Sequence, residues 1–265
     1  MRFRSKFRYL VIVLVVLLVS LPAQAVQIAY EGFGPSFPIY ANDGVGFGGP
    51  WTQGGFNVFA SGYVPEDRTL CYPHLQTSAG SVSGGAFSEI NGAIRNLASP
   101  IGADGTTVYL SFLVQPQGTL NEGIFNGFFG LTLNGSLGND FFVGKPGAGS
   151  EQQYVLETRG GSGQVPSGAA VVVGRTTLLV VKVQFLAGND TFTLFVDPTP
   201  GRPEPASSII KSDLDLGTVS KIGIYSTGAF IVDEIRLGTT FADVLPVSGG
   251  GHSESHKGCG EDRDD

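Results

Sequence analysis

The chain contains 265 residues, of which 42% are hydrophobic, 40 are glycine and 19 are phenylalanine. This apolar content excludes a wholly disordered chain and is enough for the core of one large domain, while the glycines indicate many turns. The formal net charge of −7 argues against nucleic acid and membrane surfaces as partners, because both present negative groups that a negative protein repels.

The first 25 residues have the pattern of a secretory signal peptide. Four basic residues begin the segment, the apolar run Leu10–Leu21 follows, and the small-x-small sequence Ala23-Gln24-Ala25 ends it. A membrane-spanning helix needs about 18 or more apolar residues, whereas this run is shorter and ends at Pro22. We therefore expect cleavage before Val26, secretion by the general route and no membrane attachment afterwards. The mature chain keeps 12 basic and 23 acidic residues, a net charge of −11.

Residues 26–246 are predicted to form one all-β domain. Hydrophobic residues alternate along runs such as Val108–Val114 and Leu179–Phe185, as in a strand with one buried face. Asp-Gly and Asn-Gly pairs between such runs tolerate the positive φ angles of tight hairpins. The segments Leu178–Val183 and Phe125–Leu133 are apolar on both faces, which predicts central strands covered on both sides. The pattern indicates antiparallel sheets, packed as a sandwich or closed as a barrel.

Residues 247–265 are predicted to be a disordered tail, because they are polar and glycine-rich and end in acidic residues. Cys71 and Cys259 are the two cysteines, and export would allow them to pair. Because Cys259 lies in the tail, an unpaired state is the favoured interpretation and a Cys71–Cys259 bridge is the alternative. His252 and His256 precede Cys259 at a spacing that could hold a metal, but a solvated run is favoured because further ligands are lacking.

Five segments resemble bacterial exported proteins with concanavalin A-like, LamG-like jelly-roll domains. They are Tyr30–Phe33, Gly48–Trp51, Gly105–Phe112, Phe128–Leu131 and Phe230–Val244, and the Asp-Glu-Ile-Arg strand of the last segment is the most specific. The resemblance covers nearly all of the mature domain and implies a jelly-roll β-sandwich of antiparallel strands. It leaves the function open, because such relatives include sugar binders, adhesins and hydrolases.

Many of these relatives end in a PEP-CTERM sorting signal, in which a Val-Pro-Glu-Pro motif precedes a hydrophobic span and a basic cluster. In this chain Pro203-Glu204-Pro205 occurs inside the domain with no such span after it, and the last residues are acidic and polar. We therefore expect a freely secreted protein rather than one sorted to a surface by that route.

No residue pair in the sequence predicts catalysis. Enzymes that hydrolyse glycans usually need two carboxyl groups, one to protonate the leaving oxygen and one to attack or to activate water. Asp213 and Asp215 would share a face of an extended segment, but a solvated edge or turn explains them better. We therefore name no catalytic residue.

Asp233 is a candidate ligand-binding and metal-binding residue. The alternation places it on the same side as Ile231, Ile235 and Leu237, which predicts a buried carboxylate. Such a carboxylate needs hydrogen-bond donors or a cation. Hydrogen bonds from a neighbouring loop are the favoured interpretation, and a calcium site completed by loop acids, chiefly Asp43, is the alternative. The loop acids that could contribute are Glu31, Asp43, Asp190 and Asp197.

Trp51 is the second candidate ligand-binding residue. It is the only tryptophan and lies in an aromatic stretch between Phe33 and Tyr63. An exposed aromatic ring can stack on a sugar, although most rings of this stretch are expected to fill the core. The whole sequence therefore predicts a secreted, non-catalytic module that binds a polysaccharide, a cell-surface glycan or another surface partner. A glycoside hydrolase or polysaccharide lyase with unrecognised carboxylates is one alternative, and a structural matrix protein is another.

Overall fold

The computed structural model describes residues 26–34, 44–53, 63–66, 68–84, 90–150 and 152–248. The predicted signal peptide, Asp43 and residues 249–265 of the predicted tail lie outside this part of the chain. Within the described residues, no helix has the length and apolar character of a membrane span.

Two antiparallel sheets make up the fold. In chain order the strands are β1 (Gln27–Glu31), β2 (Thr52–Gln53), β3 (Tyr63–Glu66), β4 (Ser81–Gly84), β5 (Asn91–Ile101), β6 (Thr107–Pro116), β7 (Phe129–Gly135), β8 (Asp140–Lys145), β9 (Gln153–Thr158), β10 (Ser162–Ala170), β11 (Thr177–Gln184), β12 (Asp190–Val196), β13 (Ile209–Leu214), β14 (Val219–Ser226) and β15 (Phe230–Gly238). A 3-10 turn, Ile124–Gly127, precedes β7. The eight-stranded sheet has the order β13-β12-β11-β6-β15-β4-β3, with β1 also paired to β15, and the seven-stranded sheet has the order β10-β9-β8-β7-β14-β5-β2.

The main core lies between the two sheets. Alternate residues of β6 and β11 point inward from the eight-stranded sheet and meet the inward residues of β7, β8 and β14. Stacked rings join the sheets, since Phe141 of β8 lies 4.4 Å from Phe192 of β12, and Phe129 of β7 lies 5.1 Å from Phe230 of β15. The predicted all-β sandwich is thus confirmed, and its stability comes mainly from burial of this layer.

The outer face of the eight-stranded sheet is covered by a second hydrophobic layer. Leu113, Val180 and Ile231 point outward from its strands and pack under loop residues such as Leu70 and Phe241. The loops that supply this cover are residues 68–80 and 239–247. Strands apolar on both faces were predicted to be covered on both sides, and Leu178–Val183 in β11 confirms this. The same prediction is wrong for the start of Phe125–Leu133, because Phe125 lies in the 3-10 turn and is 62% exposed.

Asp233 shares the outer face with Ile231, as expected, but a bulge after Asp233 turns Ile235 and Leu237 to the core face, which corrects the expectation that all four share one face. The register against β6 shifts between Asp233 and Arg236, and Glu234 between them has a φ of 57°. Asp233 pairs with Leu113 of the outer layer, whereas Ile235 and Leu237 remain in the core between the sheets. An uninterrupted alternation cannot anticipate this reversal of faces.

The internal Pro203-Glu204-Pro205 segment is part of the folded domain. Tyr109 donates a hydrogen bond of 2.6 Å from its hydroxyl to Oε2 of Glu204, and Nζ of Lys182 lies 3.0 Å from Oε1. Both partners stand on the outer face of the eight-stranded sheet. Glu204 therefore fixes this loop to the sheet.

Both ends of the described domain lie at the eight-stranded sheet. The Thr239 amide donates to the carbonyl of Val26, and the Ser248 amide donates to the carbonyl of His74. Ordered pairing thus reaches at least Ser248, slightly beyond the predicted boundary at residue 246. Cys71 is disulfide-bonded, which corrects the preference for an unpaired cysteine. The other cysteine of the sequence is Cys259, which lies outside the described residues.

Candidate functional site

The outer face of the seven-stranded sheet carries a cavity of about 320 Å³. This volume is at the lower end of the range for small-molecule sites. Strands β8, β9 and β14, the 3-10 turn and the loops beside them supply its walls. The described residues that line it, called the groove below, are Ile90, Phe125, Phe128, Phe142, Gly147, Ala148, Glu157, Arg159, Gly160, Gly161 and Tyr225.

Phe142 of β8 and Tyr225 of β14 form an aromatic floor. Glycines beside them leave room for the rings to lie against the sheet. A Cβ atom added to Gly130 would lie 2.8 Å from Cζ of Phe142, and one added to Gly223 would lie 2.9 Å from Cε2 of Tyr225. Both distances are too short for a side chain, so glycine at these two positions determines how the floor is built.

Phe125 stands at the rim with 62% of its surface exposed. Its backbone has φ 50° and ψ 42°, and the next residue, Asn126, has φ 51° and ψ 32°. This left-handed conformation costs an L-residue about 1–2 kcal/mol, and two such residues follow each other here. Side-chain neighbours continue the aromatic surface inward, since the Phe128 ring lies 6.5 Å from Phe125 and 6.3 Å from Phe142.

Three side-chain hydrogen bonds hold this strained turn. Thr227 donates 2.6 Å from Oγ1 to the Ile124 carbonyl, and Lys145 donates 2.7 Å from Nζ to the Asn126 carbonyl. Asn126 in turn donates 3.0 Å from Nδ2 to the Gly147 carbonyl. Lys145 is fully buried, so its ammonium reaches the turn from inside the domain. The position of Phe125 is therefore determined by the surrounding structure.

Glu157 of β9 is the carboxyl group of the groove. It is 5% exposed, and Gln164 donates a hydrogen bond of 2.8 Å from Nε2 to its Oε2. Burial raises the pKa of Glu157, although the Gln164 hydrogen bond, the Lys211 charge and the Gly161 amide act in the opposite direction. A side chain of this kind can present either a hydrogen-bond donor or an acceptor to a ligand.

Arg159 is held between Asp140 and Tyr225. Its Nη1 lies 2.8 Å from Oδ2 of Asp140 and 3.4 Å from Oη of Tyr225. The guanidinium carbon lies 4.6 Å from the centre of the Tyr225 ring, a cation–π distance. Burial raises the pKa of the Tyr225 hydroxyl, while the Arg159 charge partly offsets this effect. The hydroxyl therefore stays protonated and can donate at neutral pH.

Trp51 does not line the groove. Its side chain is 1% exposed, stacks 6.0 Å from Phe33, and donates 3.1 Å from Nε1 to Oε2 of Glu31. Glu31 also forms an ion pair with Arg95, which reaches across from the other sheet. The ring has no exposed face for a sugar, so the interpretation of Trp51 as a core residue fits the structure and the stacking platform does not.

Asp233 is buried and bound by backbone donors. The amides of Leu70 and Glu234 donate to its two oxygens at 3.0 and 2.7 Å. Burial, followed by the nearby Glu234 charge, raises the pKa of Asp233 well above its ordinary value. This geometry agrees with the hydrogen-bonding interpretation. Asp233 is remote in the fold from the groove, because it lies under the loops on the opposite sheet.

The calcium alternative finds no ligand cluster in the described part of the chain, where no three His, Cys, Asp or Glu side chains are grouped suitably for a metal. Asp43 lies outside that part. Two of the other proposed ligands have protein partners, since Asp190 accepts from Leu186 and Leu216 and Asp197 pairs with Arg175. Asp213, which was considered with Asp215 as a pair of catalytic acids, likewise has a protein partner, since it forms an ion pair with Lys211.

The sequence alone does not predict the groove, because its main residues lie as far apart as Phe125 and Tyr225 and only the strand register brings them together. One signal was present in the sequence. Gly130, Gly144 and Gly223 stand at outward positions of β7, β8 and β14, where polar side chains are usual on a solvated sheet face. Such a row of glycines indicates that larger groups lie across the sheet.

Comparison with known proteins supports the fold alone. No protein-family model and no curated protein sequence matches the chain. Among solved structures, the T. cruzi calreticulin globular domain aligns with a TM-score of 0.51 and 13% identity, covering 83% of this chain and 90% of that chain. An endo-1,3-beta-glucanase from Streptomyces sioyaensis gives 0.44 and 9% over 83% and 98%. A peanut lectin gives 0.40 and 13% over 72% and 97%. The two antiparallel sheets and the calreticulin alignment support the concanavalin A-like jelly-roll sandwich that the sequence resemblance predicted.

Proposed function

We propose that this protein is secreted and binds a glycan in the groove. The observation that carries the proposal is Phe125, an aromatic ring 62% exposed on a turn with left-handed backbone angles. Core packing does not explain a ring in this position, and strained residues held by their surroundings concentrate at functional sites. The flat, apolar face of a sugar ring is a suitable partner for such a platform.

The groove also supplies the polar groups that a sugar requires. The Tyr225 hydroxyl, the Glu157 carboxyl and the Arg159 guanidinium belong to residues that line the groove. A few polar groups among apolar walls are the usual composition of a small-molecule site, in which the walls supply affinity and the polar groups orient the ligand. A sugar, with hydroxyls around its edge and C–H groups on its faces, matches this arrangement.

Glycoside hydrolysis is the alternative that one observation favours. Burial raises the pKa of Glu157, as a general acid requires. Hydrolysis also needs a second carboxyl group. Glu157 is the sole carboxyl among the described residues that line the groove, and the nearby Asp140 is engaged by Arg159. We therefore favour binding without catalysis.

A glycan array probed with the mature chain tests the proposal, followed by titration calorimetry on each ligand found. Phe125→Ala should weaken binding about fivefold or more, since an aromatic contact of about 1 kcal/mol is removed, while Phe125→Tyr should retain it. Leu137→Ala is the matched control, because Leu137 is 58% exposed but does not line the groove. Equal affinity of Phe125→Ala and parent for every glycan would refute the proposed site.

A further inference from the structure

The charges of the groove are balanced by protein groups without a ligand. Arg159 is the single cation among the described residues that line it, and Asp140 lies 2.8 Å from its Nη1. The same nitrogen contacts the Tyr225 hydroxyl, and the guanidinium lies over the Tyr225 ring. Arg159 is thus positioned to brace the floor, and its positive charge is neutralised by a carboxylate of the protein.

Glu157 does not make the groove more attractive to an anionic ligand. It is almost fully buried, which favours its uncharged form. When ionised it adds a negative charge that would repel an acidic ligand. In neither state does the described groove offer a free positive charge to a carboxylate or a sulfate.

Resting on the proposed function, we infer that the groove selects uncharged glycans over uronic acid and sulfated glycans. Asp140 is the residue that determines this selectivity, because it occupies the guanidinium that would otherwise bind a ligand carboxylate. The net charge of −11 on the mature chain also disfavours polyanions at long range.

Asp140→Asn tests this inference, because the amide keeps the shape of the side chain and releases the Arg159 charge. The parent should bind a neutral β-glucan or galactan oligosaccharide at least about tenfold more tightly than oligogalacturonate, and Asp140→Asn should gain about tenfold for oligogalacturonate. Asp197→Asn is the matched control. It makes the same charge change and releases Arg175, which lies outside the groove.

The outcomes separate selectivity from the function itself. The inferred selectivity alone is overturned if the parent binds oligogalacturonate more tightly than the neutral oligosaccharide. It is also overturned if Asp140→Asn and Asp197→Asn change the affinity for oligogalacturonate equally. A parent that binds neither class overturns the proposed function as well. If Asp140→Asn does not fold, salt dependence replaces it. The affinity of the parent for the neutral oligosaccharide should be constant between about 0.05 and 0.5 M NaCl, and a marked fall in this affinity would contradict the inference.

A second, independent observation concerns the first described residue. The Val26 nitrogen donates a hydrogen bond of 3.2 Å to Oδ2 of Asp243. The same oxygen accepts from the amides of Thr239 and Thr240 at 2.9 and 2.8 Å. Although burial acts in the opposite direction, hydrogen bonds with the side chain and amide of Thr240, the side chain of Thr239 and the amide of Val26 lower the pKa of Asp243, so a carboxylate faces the Val26 nitrogen at neutral pH.

We propose that Asp243 is a receptor for the α-ammonium group that cleavage before Val26 creates. Hydrolysis of the Ala25–Val26 peptide bond leaves a carboxylate on Ala25 and an amine on Val26, and this amine takes up a proton at neutral pH. The neutral hydrogen bond to Asp243 then becomes a charge-assisted one. Processing thereby adds an ion pair at the junction of β1 and the loop after β15.

Thermal unfolding of the mature chain with a free and with an acetylated Val26 tests this proposal. The free amine should raise Tm by about 2 °C, the shift expected for a partly exposed ion pair in a domain of this size. Because the ion pair raises the pKa of the amine above about 8, the gain should be present below this pH and disappear as the pH rises further. Asp243→Asn should abolish the difference.

Equal melting of the free and acetylated chains from pH 6 to 9 would overturn the proposal, as would exported protein whose first residue is not Val26. If Asp243→Asn does not fold, the pKa of the Val26 amine in the parent chain decides the question. A value at or below that of an ordinary α-amino group excludes the ion pair.

Discussion

The buried ammonium of Lys145 donates a hydrogen bond of 2.7 Å to the backbone carbonyl of Asn126, the residue that follows the exposed Phe125. A charge placed inside the domain thus supports an aromatic side chain at its surface. This relationship makes Lys145 a positioning residue, because it does not line the groove itself.

Lys145→Met should reduce both stability and glycan affinity. We expect the free energy of unfolding to fall by about 1–3 kcal/mol, because the turn loses a buried donor, and the affinity to fall as Phe125 becomes mobile. Arg236→Met is the control, since Arg236 is also buried but lies on the other sheet and donates to the Gln76 carbonyl. Denaturant unfolding with calorimetry should show a loss of stability in both variants and a loss of affinity only in Lys145→Met.

Phe125→Gly separates backbone strain from ring contact. Glycine adopts the left-handed conformation freely, so Phe125→Gly should be about 0.5–1 kcal/mol more stable than Phe125→Ala. Both variants lack the ring and should bind glycans equally weakly. A Phe125→Gly chain that is less stable than Phe125→Ala in urea unfolding would show that the turn is not strained in solution.

The pH dependence of stability should reveal the raised pKa of Asp233. Its pKa is raised by burial and then by Glu234, so the unfolded chain releases this proton first and stability falls as pH rises from about 4 through the folded pKa. Asp233→Asn cannot titrate, and it should therefore destabilise the protein more at pH 4 than at pH 7. The difference between parent and variant cancels the titration of other groups.

Chelator should leave the melting curves of both the parent and Asp233→Asn unchanged, whereas a shift in the parent alone would indicate calcium.

The disulfide at Cys71 should contribute measurably to stability. Cys71→Ser should lower the free energy of unfolding by about 2–4 kcal/mol, the usual effect of losing a disulfide. If Cys259 is the partner, Cys259→Ser should have the same effect and the double variant no more than either alone. Additive losses would show that the two cysteines do not form one bridge.

The sandwich was predictable because strand alternation depends on the local period of buried residues, as in β6 and β11. The separation of Asp233 from Ile235 and Leu237 was not, since one bulge residue with positive φ reverses every face that follows it. The sequence allows Trp51 to be either a core residue or an exposed ring that stacks on a sugar, and only the exposure of its side chain in the structure distinguishes the two. The groove depends on register between strands distant in sequence, as between Gly130 and Tyr225, which single-strand patterns do not contain.

The locations of Val26 and Ser248 at the eight-stranded sheet determine how the domain can be displayed. Both attach to that sheet or to the loops that cover it, whereas the groove opens on the other sheet. An anchor, a fusion partner or a solid support joined at either end would therefore leave the groove directed away from the attachment. With the glycan binding proposed above, the same geometry would let several copies on one surface bind a single long glycan, so that weak individual contacts combine into avidity.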